Sequence, residues 1–164
     1  MAKNKHILEL NELGQSVWYD NLSAAVLNSG ELKGFIDLGV SGLTSNPTIY
    51  KMAISDESEY DAQLNKLSAE GKSTEEICEE LMIQDIARAA DLLAPIYKQT
   101  GGGDGYASIE VSPFLARDTQ KSIEAAKRLW AKLIRPNIMI KIPGTPEGLP
   151  AIEHCLDAGI NVNI

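Results

Sequence analysis

Cysteine, histidine and basic charge are all scarce in this sequence. Its two cysteines, Cys78 and Cys155, lie far apart and lack the CxxC or Cys/His spacing of a metal site. They are expected to be buried thiols in a reduced compartment. The two histidines, His6 and His154, have no partner pattern. Fifteen Lys and Arg against 23 Asp and Glu leave a net charge of −8. That balance argues against nucleic acid and against an anionic membrane surface as partners. No apolar run approaches the roughly 18 residues of a membrane span, and Met1–His6 opens no stretch of signal-peptide type. A cytoplasmic protein is expected. What is present is ordinary for a globular chain: 164 residues, 44% hydrophobic and 23% charged. With no strong linker and no internal repeat, residues 1–164 are assigned to one domain.

Taken in order, residues 3–15 read as a short amphipathic helix ending near Gly14. Ser16–Asp20 reads as a strand with a carboxylate at its C-terminal end. Short helices are expected over Ser23–Ser29 and Glu31–Leu38, the second closed by Gly39. Gly39–Pro47 is a strand running into small polar residues, with Pro47 placed to open a helix. From Ser55 to Gln99 the pattern is mostly helical. Ser73-Thr74-Glu75-Glu76 has capping-box spacing, and Ile77, Leu81, Ile86, Ala89 and Leu93 form the stripe that should face a sheet. Gly101–Gly105 is a loop without the Gly-Lys-Ser/Thr of a phosphate-binding P-loop. A strand over Tyr106–Ser112 follows, then a helix over Asp118–Ile134 with Ile123, Ala126, Trp130, Leu133 and Ile134 on one side. The chain closes with a helix over Leu149–Ala158 and a strand from Ile160 to Ile164.

One stretch organises the rest. Arg135–Thr145 reads as a strand buried on both faces, bounded by Pro-Asn before and Pro-Gly after, with Lys141 among Ile138, Met139, Ile140 and Ile142. Burying an ammonium costs several kcal/mol, which favours the neutral amine, the form that attacks a carbonyl to make a Schiff base. The structural alternative is a lysine snorkelling from an edge strand to solvent.

Strands alternate with segments long enough for helical crossovers, the signature of a parallel α/β sheet. Asp20, Thr44-Ser45-Asn46, Glu110 and Lys141–Thr145 all fall within or just beyond strands. In a parallel sheet those C-terminal ends share one side, where a (β/α)₈ barrel places its chemistry. Only about five strands are present, short of a full barrel. The chain ends inside one of them, so a truncated barrel with an uncovered edge is expected.

Five motifs carry a family resemblance: Ser-Val-Trp-Tyr-Asp-Asn-Leu (16–22), Ser-Gly-Leu-Thr-Ser-Asn-Pro-Thr-Ile (41–49), Ala-Ser-Ile-Glu-Val-Ser-Pro (107–113), Ile-Lys-Ile-Pro-Gly-Thr-Pro-Glu-Gly (140–148) and Gly-Ile-Asn-Val-Asn (159–163). In this order they resemble transaldolase, most closely the longer bacterial branch, of which this would be an N-terminal part. The resemblance implies an α/β TIM barrel, (β/α)₈ of the class I aldolase type, here incomplete with the C-terminal strands missing. It implies sugar-phosphate substrates, no metal or organic cofactor, and a place in the non-oxidative pentose phosphate pathway. The reaction would move a dihydroxyacetone unit from sedoheptulose 7-phosphate to glyceraldehyde 3-phosphate, giving erythrose 4-phosphate and fructose 6-phosphate.

By the same resemblance Lys141 is the Schiff-base lysine, Glu110 works through a catalytic water, and Asp20 is the acid/base. Asn46, Thr44 and Asn163 match substrate-binding positions, and Thr145 is a hydroxyl near the dehydration step. Read without it, Asp20 could be a helix cap and Glu110 a structural ion-pair partner of Lys141. Two departures stand out. Gly144 replaces an expected alanine, and the family's phosphate-gripping serine and arginine lie beyond residue 164. Little transaldolase activity is therefore expected of the chain alone. A Schiff-base aldolase of the fructose-6-phosphate type and a non-catalytic remnant are the competing readings.

Overall fold

The computed structural model describes residues 3–56 and 58–164, with the backbone alone for Thr48, Ile49, Lys51, Ala53 and Asp56. Five strands, β1 (Trp18–Tyr19), β2 (Gly42–Thr44), β3 (Ala107–Glu110), β4 (Ile138–Lys141) and β5 (Val162–Asn163), form one sheet in sequential order. All four pairings are parallel, and the sheet is not closed. The connections are helical. After α1 (Lys5–Glu12), the helices α2 (Ala24–Asn28) and α3 (Glu31–Leu38) link β1 to β2. Next, α4 (Pro47–Asp56), α5 (Asp61–Ala69) and α6 (Thr74–Gln99) lead to β3, α7 (Thr119–Leu133) to β4, and α8 (Gly148–Asp157) to β5. Among the described residues no helix is long and apolar enough to cross a membrane.

Local chemistry starts several of these helices where the sequence places them. Asn4, Ser23 and Asp118 each accept a backbone N–H at an N-terminus. Ser73 and Glu76 complete a reciprocal capping box, and the Ile77–Leu93 stripe of α6 is buried. The side chains of one strand face, Leu43, Ala107, Ile109, Val111, Ile138, Ile140 and Ile142, are wholly buried in the hydrophobic cluster. The opposite parity carries Gly42, Thr44, Ser108, Glu110, Met139, Lys141 and Asn163.

Three expectations change. The lysine strand is buried on one face only: Met139 and Lys141 stay partly accessible, because five strands do not enclose the polar face. Ile134 is 84% exposed and not on the packed side of α7; it caps that helix in the left-handed conformation, turning its side chain outward. Cys155 is buried, but Cys78 is only half-buried, beside an open cleft against α7.

At the foot of β4 the Nε and Nη2 of Arg135 donate to the Asp91 carboxylate at 2.8 and 3.0 Å. That hydrogen bonding holds the Asp91 carboxyl below its ordinary value. With the folded value depressed, the contribution is complete above the unfolded Asp value of about 3.9 and lost as pH falls through the folded one. Asp91 is 63% exposed, so solvent screening keeps the pair below about 1 kcal/mol. Arg135→Ala should lower urea stability by that small amount at neutral pH. The gap from wild type should narrow in acid; a gap that widens there would contradict the assignment.

Candidate active site

Glu110 ends β3 and Lys141 ends β4, and the two are register partners. Both side chains rise from the polar face, and Lys141 Nζ lies 3.2 Å from Glu110 Oε2, with the side chains 28% and 16% exposed. The amine is therefore met by a carboxylate and not by an apolar slot. On the other flank Asn163 is the register partner of Lys141. Its amide crosses β4 and donates to Ser108 Oγ at 3.1 Å. Ser108 is wholly buried and pairs in register with Thr44, whose hydroxyl is buried without a partner. Glu110, Lys141, Asn163 and Thr44 are thus brought onto one patch spanning four strands.

Asn46 lies two residues past Thr44, beyond the end of β2, and its carbonyl accepts the Tyr50 N–H at 3.0 Å in the first turn of α4. Asp20 follows β1 directly and is exposed. Both stand at the sheet end that carries Lys141, but from strands two and three positions away along the strand order. Thr145 falls outside the group. Its hydroxyl donates to the Ala116 carbonyl and accepts the Gly148 N–H at 3.0 Å, so it ties the loop after β4 to the start of α8.

Two further residues belong to the patch. Ser108 accepts the Asn163 amide beside its register partner Thr44, and the Trp18 indole lies against Gly42, where a Cβ would come within 2.3 Å of the ring. A period of two was the available signal, since Ser108 and Trp18 precede Glu110 and Asp20 by two residues. Two clefts reach the surface. One of about 890 Å³ is lined by Ser16, Ser41 and Asp104, and one of about 510 Å³ reaches Glu110 between α6 and α7; neither is lined by Lys141. Among the described residues no three potential metal ligands gather in one place.

Residues 17–164 match the family model described as "Transaldolase/Fructose-6-phosphate aldolase". The chain belongs to that family. It is 49% identical over 160 residues to the "Transaldolase" of Trichodesmium erythraeum, covering 97% of this chain but 42% of the relative. It is 47% identical to "Transaldolase 2" of Nostoc sp., covering 100% and 43%. For the "Transaldolase" of Saccharopolyspora erythraea the identity is 44%, covering 100% and 44%. The chain thus spans less than half the length of these curated relatives and corresponds to the N-terminal part of a transaldolase-family protein. Its parallel five-stranded sheet is consistent with a partial barrel of that family.

Proposed function

We propose that this chain carries the Schiff-base half of a transaldolase active site. As one truncated barrel domain it would serve a cytoplasmic enzyme of the non-oxidative pentose phosphate pathway. The observation that supports this best is the 3.2 Å Lys141–Glu110 pair at the C-terminal ends of adjacent strands. A lysine nitrogen adds to the ketose C2 carbonyl, and loss of water gives an iminium, an electron sink next to the bond to be broken. Glu110, beside that nitrogen, supplies and removes the protons of dehydration through a water. Asp20 takes the proton of the C4 hydroxyl as the C3–C4 bond breaks, the electron pair passing to the iminium. The aldehyde leaves as erythrose 4-phosphate, and the retained enamine attacks glyceraldehyde 3-phosphate. Returning the proton and adding water releases fructose 6-phosphate and frees the lysine. Asn46, Thr44 and Asn163 hold substrate hydroxyls.

A second reading, aldol cleavage with release of dihydroxyacetone to water, has the other half of the matched family's description in its favour. Cleavage of fructose 6-phosphate measured without an acceptor sugar separates the two. Borohydride reduction in the presence of fructose 6-phosphate, followed by peptide mass mapping, tests both. A stable adduct on the peptide containing Lys141 is expected, and its absence in folded protein would favour a non-catalytic remnant.

A further inference from the structure

Behind the site lies a buried polar cluster that the proposed chemistry does not use. Asp85, on the apolar stripe of α6, is only 4% exposed. One of its oxygens accepts the Tyr50 hydroxyl at 2.6 Å and the Tyr60 hydroxyl at 2.7 Å, and the other is 3.5 Å from Arg88. Tyr50 and Tyr60 are 2% and 1% exposed, and their rings meet edge to face. Burial and the facing carboxylate push both phenols above their ordinary range, which keeps them protonated as donors. A buried carboxylate and two phenols pack no better than apolar residues of the same size, and removing any one member leaves the others unmatched. Such a cluster specifies one arrangement of the elements it joins.

Those elements are the ones that carry two of the site residues. The Tyr60 oxygen also accepts the Ala24 N–H at 2.6 Å, an orphan amide at the start of α2, four residues after Asp20. Arg88 donates to Asn28 at 2.7 Å, so the far end of α2 is held from the same place. Tyr50 is one helical turn after Asn46 and bonded to its carbonyl. We propose that Tyr50, Tyr60 and Asp85 are positioning residues, which lock the loops after β1 and β2 so that Asp20 and Asn46 are presented at the end of the sheet. The roles of those two residues rest on the transaldolase reading; the locking of the loops does not.

Tyr60→Phe in the 164-residue chain, with Tyr50→Phe as the second variant, tests this in two arms. In hydrogen–deuterium exchange, amides of 21–26 should exchange about tenfold faster in Tyr60→Phe, and those of 45–50 in Tyr50→Phe. Amides of 107–111 and 138–142 should stay as in wild type. In reductive trapping, dihydroxyacetone needs only Lys141 and Glu110 and should label both variants as it labels wild type. The half-saturating fructose 6-phosphate should rise about tenfold. Unchanged loop exchange overturns the proposal, and so does exchange that rises equally throughout, which would mean general destabilisation. Loosened loops with unchanged fructose 6-phosphate saturation also overturn it. Failure of wild type to form any adduct refutes the transaldolase reading alone, and the exchange arm then decides the locking.

Discussion

Lys141→Met is expected to abolish the borohydride-stable adduct completely. Methionine fills nearly the same volume but has no nucleophile, and no other lysine lies opposite a partner on the polar strand face in the described residues. The substitution also removes the cation facing Glu110, whose side chain is only 16% exposed. A half-buried carboxylate left against a thioether should cost about 1–3 kcal/mol. Adding Glu110→Gln to Lys141→Met should then recover part of that loss, a coupling that urea unfolding of the double-mutant cycle would read directly. A wild-type level of adduct on the Lys141→Met protein would eliminate the proposed mechanism.

Gly148→Ala should be the most damaging small substitution near the site. Gly148 opens α8, and a Cβ there would lie 1.9 Å from the Pro143 carbonyl oxygen and 3.0 Å from Thr145 Oγ1. The nearest obstacle is backbone, so no flexible side chain can give way. The loop from Pro143 to Glu147 must move instead, undoing the bonds from Thr145 to Ala116 and from Thr119 Oγ1 to the Glu147 carbonyl. A loss of roughly 3 kcal/mol is expected in urea unfolding. Because the loop begins two residues after Lys141, a shift of about 1 Å should also slow adduct formation by about 10²-fold. Stability within about 0.5 kcal/mol of wild type would show that the loop relaxes freely.

Much of the site can be read from spacing because a strand repeats every two residues. Ser108 with Glu110, and Met139 with Lys141, each share a face once their segments are strands. The helix starts were equally legible, since Ser73 with Glu76 and Asp118 satisfy orphan amides within four residues of themselves. Thr145 could not be placed from sequence, because its acceptor at Ala116 is 29 residues away. Asp85 reads as a lone carboxylate on an apolar stripe, and its phenol donors stand 25 and 35 residues before it.

Composition, alternation and capping patterns by themselves determined an α/β chain whose strand ends carry Asp20, Glu110 and Lys141. Only the tertiary structure decided that Glu110 faces Lys141 at 3.2 Å and that Asn163 reaches Ser108. The physical reason is register. Parallel strands in this fold are joined through helices, so their alignment is set by how the apolar strand face packs on those helices. No local stretch of sequence contains that packing.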